Sequence, residues 1–253
     1  MPTLFISDLH LCAERPDINE LFLDFLAGSA RRAEALYILG DLFEYWIGDE
    51  AIQDNDFRPI VDGLRGFSDS GIPLFFMHGN RDFLLGRDFE KATGGRLLTD
   101  PTVIDLYGTN ILLMHGDTLC TDDTEYQAYR RMVRDEQWQR TFLAKSVAQR
   151  EGIVRKLREV SNAATAGKKD EIMDVAQSTV ETVMRAHGIR RLIHGHTHRP
   201  AEHIFNLDGS EVRRMVLGAW YEQGSVLRCD KRGWALETLS VHRKTKKTSD
   251  TPA

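Results

Sequence analysis

A chain of 253 residues with 42% hydrophobic and 28% charged residues is long enough to bury a substantial core, and its composition is that of a globular protein. Its formal net charge of −5 argues against a chain-wide nucleic-acid binder, yet residues 130–169 hold 11 Lys/Arg against four Asp/Glu, a basic segment in an otherwise acidic chain. No secretory signal precedes the first apolar run, no run approaches the ~20 residues that span a bilayer, and Cys12, Cys120 and Cys229 fall in neither metal nor redox spacing, so the expectation is a soluble or surface-bound protein with reduced thiols.

In chain order, Leu4-Phe5-Ile6 predicts a first strand ending in Ser7-Asp8-Leu9-His10. Residues 18–30 place Leu21, Phe22, Phe25 and Leu26 at helical spacing, a stripe that would cover one sheet face. Ala35–Leu39 predicts a second strand ending in Gly40-Asp41, and Leu74–Met77 a third ending in His78-Gly79-Asn80-Arg81-Asp82. A short helix is expected over 82–91, and residues 105–110 form a hairpin into a fourth strand, Ile111-Leu112-Leu113-Met114, which ends in His115-Gly116-Asp117. Residues 122–185 then break the alternation: they are helical in character and basic, with Trp138/Phe142 and Ile153/Leu157 each one turn apart. Lying between two polar strand ends, this insertion is placed as a lid would be; a solvated helical hairpin packed on the core has the same pattern. Arg191-Leu192-Ile193 predicts a fifth strand, followed by His194-Gly195-His196-Thr197-His198. Asp208-Gly209 marks a hairpin between 203–207 and 212–217, and two more strands are expected near 225–229 and 234–239. The fold class is α/β, a two-sheet β-sandwich flanked by helices, with residues 1–121 and 186–241 as the core, 122–185 as the helical insertion and 242–253 as a disordered basic tail.

All five apolar runs lack alternation, as strands covered on both faces do, and each hands over to a polar cluster at its C-terminal end, where open α/β sheets bind ligands. Alone, the His194–His198 stretch reads equally as a histidine-rich surface turn. Together the loop ends offer Asp8, His10, Asp41, Asn80, His115, His196 and His198: four imidazoles, two carboxylates and an amide oxygen. Seven donors exceed what one ion needs and suit two ions sharing a carboxylate, for which Asp41 is the candidate; such a pair clamps an in-line displacement at phosphorus. The donor set favours Mn, Fe, Co or Zn over Ca or Mg. Arg81 can reach phosphate oxygens through two parallel bonds, or it pairs with its neighbour Asp82. His78 and His194 fit supporting roles, and Glu44 and Asp117 fit either histidine-orienting or structural roles.

Asp-x-His, Gly-Asp, Gly-Asn-Arg-Asp, His-Gly-Asp and Gly-His-x-His, in this order, resemble the calcineurin-like metallophosphoesterases over the whole core. The resemblance implies a first metal on Asp8, His10, Asp41 and His198 and a second on Asp41, Asn80, His115 and His196. Gly40–Asp49, His78–Gly86, Met114–Asp123, Ile193–Pro200 and Leu217-Gly218-Ala219-Trp220 narrow it to the branch that hydrolyses the pyrophosphate of UDP-2,3-diacylglucosamine in lipid A biosynthesis. The chemistry of the residues gives catalytic roles to Asp41, as the shared carboxylate, and to Arg81, as a fork for the developing charge; that branch implies two Mn²⁺ per chain and peripheral attachment to the cytoplasmic side of the bacterial inner membrane. It also implies substrate contacts at Asn80, Arg81, Asp123, Ser161, Thr165, Lys168 and His196, where Thr165 departs from the Asn expected in some relatives. The core motifs alone do not separate this activity from a nucleotide diphosphatase, phosphoprotein phosphatase or nuclease with the same metals. A non-catalytic scaffold need not keep seven ligands, and an RNA-binding module would need stacking aromatics that the basic segment lacks.

Overall fold

The computed structural model describes residues 1–165 and 174–241, with residues 158–165 described by their backbone alone. Lys168 and the predicted tail 242–253 therefore lie outside the described residues. The described elements form four layers. A six-stranded sheet has the order β11-β10-β1-β2-β3-β4 and a five-stranded sheet the order β5-β6-β7-β9-β8. In the first, β1 (Thr3–Ile6), β2 (Ala35–Leu39), β3 (Leu74–Met77) and β4 (Arg96–Leu98) run parallel, and β10 (Gln223–Asp230) and β11 (Gly233–Ser240) close one edge as an antiparallel hairpin. In the second, β6 (Thr109–Leu113), β7 (Arg191–His194) and β9 (Ser210–Val216) are parallel, with β5 (Thr102–Leu106) and β8 (Ala201–Leu207) antiparallel at the edges.

The lack of alternation in the strands has its explanation here, because every central strand is covered twice. Phe5, Leu39 and Met77 face Ile111, Leu113, Ile193 and Met215 between the sheets. The other face of the first sheet (Ile6, Leu36, Ile38, Phe76) packs on α1 (Pro16–Ala27), α2 (Arg58–Ser68) and α3 (Arg87–Thr93) through Phe22, Phe25, Leu64, Phe67 and Phe89. Leu112 and Leu192 on the outer face of the second sheet meet Val180 and Met184 of α7 (Gln177–His187). The segment 122–185 contains α4 (Thr124–Arg134), α5 (Glu136–Leu143), α6 (Val147–Thr165) and most of α7. Its C-terminal boundary thus falls inside a helix whose apolar face belongs to the core layer.

Several expectations shift. The first helix ends at Ala27 and gives way to a 3₁₀ turn, Ser29–Arg32, instead of continuing to residue 30. The helix expected from Asp82 begins only at Arg87, because Asp82 is diverted into backbone contacts and a remote carboxylate sets the helix start: Asp49 accepts from the amides of Gly86, Asp88 and Phe89. Those are amides that a helix N-terminus leaves unpaired. Trp138 and Phe142, read as part of a lid face, stack on each other at 5.1 Å, and Phe142 is buried in the core cluster while Trp138 lies 6.3 Å from Phe83. The three cysteines are buried and form no disulfide.

Candidate metal centre

The loops after β1, β2, β3, β6 and β7 meet at one end of the sandwich. β1, β2 and β3 lie side by side and parallel, as do β6 and β7, so all five C-terminal ends open the same way within their sheets. The chain turns sharply to leave them: Asp8, His10, Asp41, His196 and His198 all have φ between 51° and 67°. An L-residue enters this left-handed region at a cost and persists there only when its surroundings hold it. Here the amides of Asp8 and His10 donate to the carbonyls of Gly40 and Asp41, both at 3.0 Å, and the His196 amide donates to Asp8 Oδ2 at 2.9 Å. Gly79 and Gly195 allow the close approach, since a Cβ on Gly79 would run into Asp41 and one on Gly195 into Ser7 and Asp8.

Asp82 ties two of the loops together. Its buried carboxylate accepts from the amides of Gly79 at 2.8 Å, Leu42 at 2.8 Å and Asp41 at 3.3 Å. It is therefore not paired with Arg81, whose guanidinium instead points toward Glu44 at 3.9 Å. The Arg81 backbone is pinned on both sides, its amide donating to Asp41 Oδ1 at 2.8 Å and its carbonyl accepting from Trp46.

All seven predicted ligands come together. His198 Nε2 lies 3.3 Å from both Asp8 Oδ1 and His10 Nε2. Asp41 Oδ2 stands between His10 Nε2 at 4.0 Å and His115 Nε2 at 3.9 Å, the place of a bridging oxygen. Asn80 Oδ1 lies 3.1 Å from His115 Nε2 and 2.9 Å from His196 Nδ1. Donor atoms of Asp8, His10 and His198 all lie within 4.8 Å of one another, and so do those of Asp8, Asp41 and His115, so Asp8 borders both halves. The residues fit divalent cations on two counts. Asp8 Oδ1 is buried and meets only the His198 ring nitrogen, itself a candidate ligand, at 3.3 Å, so a cation between them would satisfy both. The outer nitrogens of several rings are already engaged, with His115 Nδ1 donating to Leu39 O at 2.9 Å, Glu44 Oε2 3.1 Å from His10 Nδ1, and Tyr221 Oη 3.3 Å from His198 Nδ1. Such partners fix the orientation of a ligating imidazole.

The electrostatics follow from burial against these neighbours. Burial pushes the Asp41 carboxyl up despite His115 and His10. Burial also opposes charge on His115, but Asp41, Asp117 and Asp8 outweigh it and push the imidazole up to about 9. Desolvation and the neighbouring His115 push the half-buried His196 down to about 4. His194, buried and accepting from Arg214 through Nε2, falls to about 3 and is a neutral support behind the loop.

The remaining expectations divide. His78 donates to Leu85 O and supports the turn before α3. Asp117 does not orient a histidine ring; it takes Arg130 Nε at 2.6 Å and the Tyr126 hydroxyl at 3.0 Å. Asp123 caps α4 by accepting from the Tyr126 amide. Ser161 and Thr165 lie on the backbone of α6 with side chains outside the described residues, as Lys168 is altogether. Sequence reading missed Asp49, and Tyr221, whose ring stacks on His10 at 5.7 Å, signals itself only by following Leu217-Gly218-Ala219-Trp220.

The family described as calcineurin-like phosphoesterase matches residues 1–200 of the chain. A protein of Stenotrophomonas maltophilia named UDP-2,3-diacylglucosamine hydrolase is 50% identical over 247 residues, 95% of this chain and 99% of that protein. Its namesakes in Aeromonas hydrophila and Chromohalobacter salexigens are 51% identical over 233 residues (90% of this chain, 95% of that protein) and 52% identical over 220 residues (87% and 89%). Among solved structures, a novel archaeal phosphodiesterase is 12% identical with a TM-score of 0.48, covering 94% of this chain and all of that one.

Proposed function

Because the chain belongs to the calcineurin-like phosphoesterase family, and its hydrolase relatives match it almost end to end, we propose that it hydrolyses the pyrophosphate bond of UDP-2,3-diacylglucosamine in lipid A biosynthesis. Water adds to one phosphorus, the bridging P–O bond breaks, and 2,3-diacylglucosamine 1-phosphate and UMP leave. The observation that carries this reading is half-identity over 95% of the chain to a protein of that name, in a molecule whose seven candidate ligands converge at one end of the sandwich.

Asp8, His10, Asp41 and His198 would hold one divalent cation and Asp41, Asn80, His115 and His196 the other, with Mn²⁺ suited to this mixture of imidazole and oxygen donors. When bound, the two cations neutralise phosphate charge and lower the pKa of the attacking water. The protein's own groups supply the rest. Asp41 divides its carboxylate, Oδ1 holding the Arg81 amide and Oδ2 facing both halves of the centre. Arg81, its backbone fixed and its side chain 28% exposed, presents a planar fork to the phosphoryl oxygens as their charge grows. Asn80 contributes a neutral oxygen, which limits the negative charge facing an anionic substrate. Asp123, at the start of α4, and Ser161, Thr165 and Lys168 would meet the sugar and its acyl chains from the insertion. A cavity of about 210 Å³ lies between α6 and the loop after β2, lined by Tyr45, Ile47, Ala51, Phe57 and Val147 together with the carboxylates Glu50, Asp54 and Glu151.

The test is release of UMP by the purified protein with Mn²⁺, comparing UDP-2,3-diacylglucosamine with the same UDP-sugar lacking its acyl chains. The acylated substrate should be strongly preferred. Equal turnover of both, or of simple nucleotide diphosphates, would make the protein a general nucleotide diphosphatase.

A further inference from the structure

Two of the loops that build the second half of the centre are gripped from outside by one face of α4. In its last turn, Arg134 donates through a terminal guanidinium nitrogen to Gly79 O at 2.8 Å, the carbonyl directly before Asn80. Its guanidinium also lies over the Phe83 ring at 5.2 Å. One turn earlier, Arg130 Nε donates to Asp117 Oδ2 at 2.6 Å, two residues beyond His115, and Gln127 donates to Asp117 O at 2.7 Å and Cys120 O at 3.1 Å. Asp117 is fully buried and Arg130 only 20% exposed, so water screens this pair weakly. Residues 130 and 134 are one helical turn apart and lie on the same face. The first half of the centre is supported differently, by Ser7 on Asp8, Glu44 beside His10 and Tyr221 beside His198.

We propose that α4 is a brace for the second half-site: Arg130 and Arg134 are positioning residues that hold the loops of Asn80 and His115 at the separation a divalent cation requires. The inference rests on the binuclear reading above and goes beyond it. The helical insertion then does more than cover substrate, because its first helix sets one metal site and leaves the other alone. Any movement of α4 is felt as a change in affinity at that site.

Calorimetric titration of the metal-free protein with Mn²⁺ tests this without substrate. Wild type should show two binding steps, and the step weakened by Asn80→Ala identifies the second half-site. Arg134→Met keeps the apolar stem over Phe83 and removes the donors. It should weaken that step by roughly 10–100-fold, as losing the partner of a ligand-bearing group does, while the other step and the melting temperature of the metal-free protein stay unchanged. Arg134→Lys, which restores one donor, should recover part of the affinity. Both steps unchanged, or both weakened together with a fall in melting temperature, would overturn the brace. If Arg134→Met does not fold, Arg134→Lys carries the same comparison with a smaller selective loss expected. A stoichiometry of one Mn²⁺ per chain in wild type would overturn the binuclear reading itself, and the brace with it.

Discussion

At the scale of single residues, each candidate ligand carries two duties, and substitutions can separate them. Asp41→Asn preserves an oxygen for the Arg81 amide but removes the charge that faces both half-sites. Folding should survive while turnover is abolished and bound metal falls below two per chain; elemental analysis showing two ions in the variant would refute a bridging role. Arg81→Lys retains charge and loses the planar fork. Its kcat should fall far more than its KM rises, since the phosphoryl charge it meets grows toward the transition state. A change confined to KM would assign Arg81 to ground-state binding. His115 supplies a pH dependence. Its folded-state pKa of about 9 exceeds the ordinary value of 6.5, so protonation of His115 stabilises the metal-free fold fully below pH 6.5. That contribution is lost as pH rises through about 9. Denaturant unfolding of metal-free protein should show declining stability over this window, and Mn²⁺ affinity should increase across it as the competing proton leaves. A metal-free stability that rose from pH 6.5 to 9 would contradict this.

At the scale of elements, the centre depends on ties between segments far apart in sequence. Asp82 is the clearest, since one carboxylate accepts three amides from the loops after β2 and β3. Asp82→Ala would strand those buried donors at roughly 1–3 kcal/mol each. The expected result is a loss of at least about 3 kcal/mol by denaturant unfolding, and a loss below 1 kcal/mol would mean that water replaces the carboxylate. These ties also explain what the sequence reveals and what it conceals. The five strands that end in Asp8, Asp41, His78, His115 and His194 are legible because their apolar runs stop abruptly at polar motifs. The three-residue strand β4 opens on Arg96 and has too little pattern to show. Helix α2 hides its stripe of Ile60, Val61, Leu64 and Phe67 behind Pro59, Gly63 and Gly66, residues of poor helix propensity that burial overrides. All seven candidate ligands could be read because they lie in short motifs. Asp49 on α3 and Tyr221 on His198 could not, because nothing local marks partners that lie 37–40 and 23 residues away, whereas Glu44, which follows a ligand motif, takes the histidine-orienting role open to it, 3.1 Å from His10.

At the scale of the whole molecule, the uneven charge gives the protein a preferred face. Residues 130–169 carry an excess of +7 while the complete chain carries −5, so an anionic surface attracts this segment and repels the remainder. Apolar side chains are exposed in the same place: Met132, Leu143 and Val147 lie 39–47% open among exposed Arg131, Arg140, Lys145, Arg155 and Lys156. No described helix is long and apolar enough to cross a membrane. We propose that the insertion docks peripherally on anionic lipid, as the family resemblance implies for the cytoplasmic side of the inner membrane; these exposed groups would hold it there, each basic residue near the surface contributing on the order of 1 kcal/mol. Docked in this way, the protein would meet a diacylated substrate without first drawing its chains through water. Cosedimentation with vesicles containing anionic phospholipid should therefore be strong at low salt and weak at high salt. Replacing Leu143 and Val147 with Ser should weaken it further without touching the metal centre. Binding that ignored both salt and these substitutions would place the contact on another face.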